Sequence, residues 1–192
     1  MAYTLTITIK FYDYWHCGSG NSGGNESDAL VVRYDQGTTK GLPYVPAKTL
    51  KGLMREMAEV QCNCSELQRW FGNTSDKDNK CYKKNETIET ETYLSNADIK
   101  EDIKKENIPF LFKTFKNTAL EDGIAKDNSL REIETVVPLE VEAIFSNVIA
   151  TDEEQLETLK DSICSIKRIG LNRNRGMGRC EVDVISKEEA VR

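Results

Sequence analysis

The sequence predicts an α+β domain whose elements follow the order strand, helix, strand, strand, helix, strand. Three observations predict it: apolar and polar residues alternate near both ends of the chain, two segments carry apolar residues at helical spacing, and a long polar middle region has little periodicity. The order βαββαβ is that of a ferredoxin-like, RRM-like arrangement, here with a large inserted arm. A chain of 192 residues is expected to form one domain, residues 1–192.

The first strand and the first helix are the clearest elements of the amino-terminal half. From Thr4 to Phe11 apolar and polar residues alternate, which places four apolar side chains on one face of a strand. The stretch "PAKTLKGLMREMAEV" predicts a helix, because Pro46 suits a first helical turn and Leu50 and Leu53 begin an apolar stripe. Between them, the loop "GSGNSGGNESD" is too long for a tight turn, and loops of this kind often carry function.

The middle of the chain, residues 73–134, is interpreted as a polar insertion. Its only sign of regular structure is a possible strand from Thr87 to Leu94. The segment "PFLFKTFKNTALEDGIAKDNSLREIE" mixes aromatic, basic and turn residues, which favours a mobile hairpin or arm.

Two strands and a helix are predicted after the insertion. "VVPLEVEAIF" alternates again and predicts a strand, and "TDEEQLETLKDSICSIKRIG" predicts a helix capped by Thr151 or Asp152. Gly170 can end that helix. Alternation from Cys180 predicts the last strand.

Composition narrows the function classes. The net charge of −6 argues against a simple electrostatic nucleic-acid binder. No apolar run approaches the length of a membrane span, and the first residues do not form a signal peptide, so we expect no membrane partner and a cytoplasmic protein. Acidic residues concentrate in two zones, whereas basic residues cluster elsewhere, which leaves room for a basic stripe that comprises Lys48, Lys51, Arg55, Lys167, Arg168, Arg173, Arg175 and Arg179.

A glycine- and arginine-rich loop, "IGLNRNRGMGR", separates the second helix from the last strand. Glycines let another backbone approach closely and let main-chain N–H groups face a phosphate, and arginines grip phosphate oxygens in bidentate fashion. The alternative is a helix cap followed by solvated arginines. No Gly-Lys-Ser/Thr follows, which excludes a P-loop, and the dinucleotide fingerprint expects its glycines after the first strand of a βαβ unit. The residues of interest are Gly170, Arg173, Arg175, Gly176, Gly178 and Arg179.

The six cysteines are unevenly spaced and no export signal precedes them, so thiols or a metal site are favoured over disulfides. Cys62, Cys64 and Cys81 could bind zinc, with Cys17 or His16 as a fourth ligand. The alternative is that they are small buried side chains. His16 is the only histidine, so a nucleophile system with a histidine base could form only around it; beside Trp15 it could equally be structural.

Several of these stretches together resemble the RAMP superfamily of CRISPR-associated proteins. They are "WHCGSG", "SDALVVRYDQ", "GLPYVPAKTLKGLMRE" after an interrupting "GTTK", "RWFGN", and the terminal "IGLNRNRGMGRCEVDV". The chain departs from the family pattern at Ala47, where a glycine or another small residue is usual. Within the superfamily it most resembles the guide-RNA-binding backbone subunit of type III effector complexes.

The resemblance implies a role in CRISPR antiviral defence. The implied partners are guide RNA, complementary target RNA, other effector subunits and further copies of the same chain. A thumb at residues 113–135 would wedge into the guide–target duplex, and the basic stripe and the glycine-arginine loop would bind RNA. The implied RNA-binding residues are Lys48, Lys51, Arg55, Gly170, Arg173, Arg175, Gly176, Gly178 and Arg179.

The same resemblance implies that Asp28 is catalytic in a metal-dependent endoribonuclease that uses a divalent ion such as Mg²⁺ to cleave target RNA. Glu26 and Asp35 are nearby substitutes, and Asp28 could instead cap a turn. Two other functions stay open: a non-catalytic RNA-binding scaffold, and a guide-precursor processing endoribonuclease that uses His16 as general acid or base.

Overall fold

The computed structural model describes residues 1–20, 29–74, 76–84, 88, 90–118, 120–121, 124–125 and 130–189. Within these ranges the helices are α1 (Ala47–Ala58), α2 (Cys64–Phe71) and α3 (Glu153–Cys164), and short 3-10 helices cover Lys105–Leu111 and Arg173–Arg175. The strands are β1 (Ala2–Phe11), β2 (Tyr93–Leu94), β3 (Asp98–Ile99), β4 (Phe112–Asn117), β5 (Leu120–Glu121), β6 (Ile124–Ala125), β7 (Arg131–Val136), β8 (Glu140–Ile149) and β9 (Cys180–Glu189).

The main sheet is antiparallel and has β1 at its centre. β1 pairs with β8 on one side and with β9 on the other, so that Ile7 lies opposite both Ala143 and Val184. The short strands β2 and β3 pair with the outer edge of β8, which gives the order β2-β8-β1-β9. The protein is therefore a mixed α/β structure built on antiparallel sheets.

The core lies between this sheet and the helices. Leu5, Ile7 and Ile9 are completely buried on one face of β1, as the alternation predicts, and α1 contributes Leu50 and Met54 to the same cluster. Burying one such side chain stabilises the fold by roughly 1.5–3 kcal/mol. The helices α1 and α3 contact each other, and α3 also contacts β9. Trp15 and Trp70 are also completely buried in this core.

The predicted long elements β1, α1, β8, α3 and β9 are confirmed, but α2 was not foreseen. It starts with a capping box, in which the Asn63 side chain accepts from the N–H groups of Ser65 and Glu66, and the Glu66 side chain accepts from the Asn63 N–H. This signal is present in the sequence as "NCSE". α3 is capped by Asp152, whose side chain accepts from the Gln155 N–H at 2.8 Å.

The strand predicted from Thr87 to Leu94 is shorter than expected. Among the residues of this stretch that the structure describes, 88 and 90–94, only Tyr93 and Leu94 form a strand. After it, Ala97 pairs with Val45, the residue just before Pro46 and α1. The pairing with β8 resumes at Asp98.

Part of the polar middle region forms a second sheet, which we call the arm hairpin and define as β4 and β7. The two strands are antiparallel, with Phe112 opposite Val136 and Asn117 opposite Arg131. The foot of the arm hairpin meets the amino-terminal segment, since Trp15 forms a bridge with Val136. The chain at Ala29 runs parallel to β7 and pairs with it.

The cysteines require a correction. Cys64 and Cys81 form a disulfide that ties α2 to the following loop, so these two sulfurs are not zinc ligands, and the preference for thiols over disulfides is wrong for this pair. The described residues contain no group of three or more His, Cys, Asp or Glu side chains placed to hold a metal ion. Cys17 and Cys180 are buried thiols, and burial raises the pKa of each to about 12.

Among the residues that the structure describes, no helix is both long and apolar enough to cross a membrane.

Candidate nucleic-acid interface

The glycine-arginine loop, residues 167–180, is held at its base and along its length. At the base, the Ile169 N–H donates to the Gly178 carbonyl and the Cys180 N–H donates to the Lys167 carbonyl, both at 2.9 Å. Two further bonds of 2.8 Å, from Leu171 N–H to the His16 carbonyl and from Gly178 N–H to the Tyr14 carbonyl, fasten the loop to the segment after β1. The loop therefore has a fixed position against the sheet.

Two glycines make this position possible. Gly170 and Gly178 both have positive φ, at 99° and 67°, and a Cβ at either site would overlap a backbone carbonyl, that of His16 for Gly170 and that of Ile169 for Gly178. Gly170 does not end α3, as the sequence suggested, because the helix stops at Cys164 with Ser165 as its C-cap. Its role is the close approach to His16.

A cleft of about 620 Å³ lies between the glycine-arginine loop, the segment after β1 and the first turns of α1. Gly18, Lys48, Gly52 and Arg173 line it together with His16. The amino-terminal turn of α1 contains no acidic residue. The Ala47 N–H of this turn donates to Asn96 Oδ1 at 3.0 Å, and the N–H groups of Lys48 and Thr49 favour an anion there. The cleft combines a helix amino terminus, exposed glycine backbone and cationic side chains, which are the parts of a phosphate site.

The cations of the cleft are available to an anion. Lys48 is exposed at the start of α1. Arg173 faces Glu56 at 3.4 Å, and both side chains are substantially exposed, at 40% and 52%. An exposed ion pair of this kind contributes about 1 kcal/mol or less to stability, so a phosphate can readily replace Glu56 as the partner of Arg173.

Arg175 and Arg179 lie at the outer side of the loop. Arg175 is exposed and has no acidic partner among the described residues. Arg179 donates from Nε to Asp13 at 3.1 Å and lies 5.7 Å from the centre of the Tyr12 ring, but its side chain is still 58% exposed. The loop therefore presents its arginines outward.

Of the predicted basic stripe, only Lys48 and Arg173 line the cleft, and Lys51 and Arg55 have other contacts. Arg55 bonds through Nε to Glu59 at 3.0 Å and through a terminal nitrogen to the Gly72 carbonyl at 2.8 Å, so it joins α1 to the end of α2. Lys51 is half-buried, and burial followed by the charge of Arg55 lowers the pKa of its amine. The helical spacing correctly places both residues near Lys48 on α1. The contacts of Arg55 and the burial of Lys51, however, belong to the packing of the fold.

His16 is buried, with 2% of its surface exposed, and it lines the cleft. Its Nδ1 lies 2.6 Å from the backbone carbonyl of Glu134, which can only accept, so Nδ1 carries the proton and donates. Nε2 is then left for the cleft side, where Gly18 is the neighbour: a Cβ on Gly18 would lie 3.2 Å from it. The ring is thus held in one orientation.

Asp28 and Glu26 lie outside the described residues. The chain on either side of them is held next to the cleft, because the Ser19 N–H donates to the Leu30 carbonyl at 3.0 Å and the Val32 N–H donates to the Cys17 carbonyl at 2.8 Å. Asp35 is exposed, beyond "ALVVRY", and lines neither of the two cavities next to the loop.

Acidic side chains concentrate on the opposite face of the main sheet. In register across the strands, Thr8 lies between Glu142 and Asp183, and in the next row on that face Lys10 lies between Glu140 and Glu181. This face points away from the buried side of β1. These acidic side chains and the cationic cleft therefore lie on different parts of the surface. The net charge of −6 does not argue against nucleic-acid binding at the cleft.

The sequence model of the RAMP superfamily matches residues 8–181 of the chain. No curated protein sequence matches it. Among solved structures, one chain in "Cryo-EM structure of the Type III-B Cmr-beta bound to cognate target RNA" is similar, with a TM-score of 0.68 and 18% sequence identity. The match covers 98% of this chain and 62% of that chain, so the protein spans less than two thirds of its structural neighbour.

Proposed function

Because the chain belongs to the RAMP superfamily, we propose that it is a backbone subunit of a type III CRISPR effector complex that binds guide RNA. In this role it works in the cytoplasm with further copies of itself and with other effector subunits, and it engages complementary target RNA. The similar solved structure is one of a type III-B Cmr-beta with target RNA, which supports this choice of complex.

One observation carries the proposal: the glycine-arginine loop is fastened beside the amino terminus of α1, with Lys48 and Arg173 in the cleft between them. A sugar–phosphate backbone that lies along this cleft meets N–H groups, Lys48 and Arg173, and Arg175 and Arg179 lie nearby at the outer side of the loop. Contacts of this kind give affinity that does not depend on sequence.

The order of the main sheet supports the ferredoxin-like assignment. If β2 and β3 count as one interrupted edge strand, the six elements β1, α1, β2–β3, β8, α3 and β9 follow βαββαβ, and the sheet order places the last strand beside the first. The arm hairpin then falls between the second and third strands of that scheme. Its position supports the assignment of residues 113–135 as a thumb.

Target cleavage by Asp28 is the second part of the proposal. It is supported by the location of the two chain segments that flank Asp28, which are bonded to each other next to the cleft. The described residues offer no cluster that would hold Mg²⁺, so we derive no step through a metal ion. In the proposal, the Asp28 carboxylate positions the 2′-hydroxyl of the target for attack on the adjacent phosphate, and the cleft keeps the strand in place.

A second candidate, guide-precursor processing, is favoured by the fixed ring of His16. Because Nδ1 is bonded to the Glu134 carbonyl, Nε2 could exchange a proton with RNA in the cleft. The non-catalytic scaffold remains the third candidate, since the loop and the cleft are sufficient for binding alone.

The test of RNA binding is the triple variant Arg173→Ala/Arg175→Ala/Arg179→Ala. Its affinity for single-stranded RNA should fall alike for all sequences, and the slope of log affinity against log salt should become shallower by about 0.7 for each phosphate that the variant no longer neutralises. The matched control is Lys77→Ala, an exposed lysine that lines neither cavity, and it should bind as the wild type does. Unchanged binding by the triple variant at moderate salt would contradict the proposal.

A further inference from the structure

The disulfide between Cys64 and Cys81 does not match the compartment proposed above. Disulfides are rare in the reducing cytoplasm, and those that occur there are usually transient and take part in redox chemistry. In this protein the bond joins the first residue of α2 to the loop that follows the helix. A cytoplasmic protein with such a pair is therefore expected to make and break the bond.

Hydrogen bonds hold Cys81 in place in addition to the disulfide. Cys81 belongs to residues 73–83, which we call the tethered loop and which the structure describes except for residue 75. The Gln68 side chain donates to the Cys81 carbonyl at 2.9 Å, in the buried part of the contact with α2. At the neck of the loop, the Asn73 side chain donates to the Lys83 carbonyl at 2.7 Å and accepts from the Lys83 N–H at 3.1 Å. These contacts keep Cys81 near α2, so that the disulfide can form again after reduction.

The two cysteines differ in their access to solvent. Cys64 is partly exposed, whereas only 3% of the surface of Cys81 is exposed. A small thiol or disulfide from solution therefore reaches Cys64 before it can reach Cys81. In a thiol–disulfide exchange, this asymmetry makes Cys64 the residue that reacts with the external molecule and Cys81 the residue that resolves the product.

The four other cysteines do not compete for this chemistry. Burial raises the pKa of the thiols of Cys62 and Cys164, and it raises the pKa of Cys17 and Cys180 to about 12. All four therefore stay protonated near neutral pH, and a protonated thiol is a poor nucleophile. Oxidation by a small disulfide is thus directed to the remaining pair.

We propose that Cys64 and Cys81 form a reversible thiol–disulfide exchange site whose co-reactant is a small disulfide such as glutathione disulfide. In the oxidation, the Cys64 thiolate attacks one sulfur of glutathione disulfide, so that a mixed disulfide forms and one glutathione thiolate leaves. The Cys81 thiolate then attacks the sulfur of Cys64, which forms the protein disulfide and releases the second glutathione. The two protein thiols lose two electrons and two protons, and one glutathione disulfide gains them to become two glutathione thiols.

Reduction runs through the same steps in reverse. The inference rests on the proposed cytoplasmic location, and it does not depend on RNA binding.

The redox state of the pair sets how firmly the tethered loop is held. Besides the contacts at its neck, the Asn79 side chain donates to Glu59 Oε1 at 3.0 Å, and the same oxygen accepts from Arg55 at 3.0 Å. Without the disulfide, the described part of the loop is held by noncovalent contacts alone, and such surface contacts open readily. The reduced protein should therefore open this loop far more often than the oxidised protein does.

The first test is a redox titration of the full chain in buffers with different ratios of glutathione disulfide to glutathione. Free thiols are alkylated, and mass spectrometry of the peptides shows which cysteines were bonded. The Cys64–Cys81 disulfide should form and disappear as the ratio changes, while the other four cysteines stay free. A bond that persists in a large excess of glutathione, or one that never forms in excess glutathione disulfide, would overturn the proposal.

The order of attack is tested with single variants in glutathione disulfide. Cys81→Ser should accumulate one glutathione on Cys64, because no resolving thiol is present, whereas Cys64→Ser should accumulate little on the buried Cys81. Cys62→Ala is the matched control, since Cys62 lies two residues before Cys64 but is buried, and it should form the protein disulfide as the wild type does. Melting curves show whether each variant is folded, and equal labelling of the two folded serine variants would contradict the assigned order.

Limited trypsin digestion measures the opening of the tethered loop. Lys77 and Lys80 are exposed lysines within it, and cleavage after them should be about tenfold or more faster in the reduced wild type, because the bond no longer restrains the loop. The double variant Cys64→Ser/Cys81→Ser should be cleaved at the faster rate with or without reductant. Equal rates for the oxidised and the reduced wild type would overturn the link between the pair and the loop.

These outcomes are separate from those for RNA. A chain that binds no RNA but passes the titration would lose the proposed function and keep this exchange site. A chain that binds RNA but fails the titration would keep the function and lose the site.

Discussion

Gly170 and His16 are the two residues on which the geometry of the cleft depends. The backbone carbonyl of His16 accepts from Leu171, directly after Gly170, while the His16 ring is held by Glu134 from the arm hairpin. A single residue therefore links the glycine-arginine loop to the arm hairpin. This explains in physical terms why a histidine that lines the cleft is buried.

We expect Gly170→Ala to lower the free energy of unfolding by about 1–2 kcal/mol or more, since that is the cost of the left-handed conformation for a residue with a Cβ. The overlap with the His16 carbonyl adds to that cost. Gly176→Ala is the matched control, since its φ is also positive, at 91°, but no atom lies within 4 Å of the added Cβ. Urea unfolding of both variants measures the difference, and equal losses would show that the contact with His16 has no energetic role.

Individual residues can be identified from the sequence when the motif they belong to lies within one short stretch. The glycines and arginines of the loop were recognisable because they lie close to one another in the sequence. Two contacts were not recognisable from the sequence: the hydrogen bond from Arg55 to the Gly72 carbonyl and the disulfide between Cys64 and Cys81. Both depend on how the chain folds back after α2. Asp28 remains a prediction outside the described residues.

Elements with sustained periodicity were predictable, and short ones were not. β1, α1, β8, α3 and β9 each bury a regular stripe, and that stripe is visible in the sequence. The strands β2 and β3 have two residues each, too few for any period, and exist only because they pair with β8. The arm hairpin has a partly apolar face that two-residue alternation could have suggested.

The disulfide gives a test at the level of one element. Because Cys64 and Cys81 are 17 residues apart, the bond should stabilise the protein by about 3 kcal/mol through the entropy of the unfolded chain. Reductant should therefore lower the midpoint of chemical unfolding of the wild type. The double variant Cys64→Ser/Cys81→Ser should unfold at the lower midpoint with or without reductant. A wild-type midpoint that does not change when reductant is added would contradict the expectation.

On the whole molecule, the distribution of charge matters more than its sum. The face of the main sheet that carries Thr8 has two neighbouring rows with an acid on each side, and Lys10 is at the centre of one of them. Cations without an acidic partner among the described residues, such as Arg131 and Arg175, lie around the glycine-arginine loop and the arm hairpin. Such a separation orients an approaching polyanion, because one side of the protein repels it and the other attracts it. In the proposed function, guide RNA and target RNA would both approach from the loop side.

Asp28 distinguishes a ribonuclease from a scaffold in the assembled complex. Asp28→Ala should reduce the cleavage of complementary RNA by about a hundredfold or more, the usual loss of chemical assistance, while guide binding stays unchanged. Asp28→Asn keeps a turn-capping oxygen and should be nearly as inactive. The measurement is cleavage of labelled target RNA by the guide-loaded complex, with and without a divalent chelator.

Each outcome of that assay favours one candidate. Full cleavage by both Asp28 variants would exclude the role proposed for this residue. Loss only in His16→Ala would favour the processing enzyme, and no metal-dependent cleavage by the wild type would leave the scaffold.

The central position of β1 in the main sheet affects how the chain folds during its synthesis. Ala2 lies opposite Ile149 on one side and Glu189 on the other, so β1 pairs only with strands that are synthesised long after it. Contacts that join residues so far apart in sequence form late, because the intervening loop must close first. Both edges of β1 therefore stay unpaired during translation until β8 and β9 have left the ribosome, and Leu5, Ile7 and Ile9, which are buried in the folded protein, are exposed to chaperones for that time.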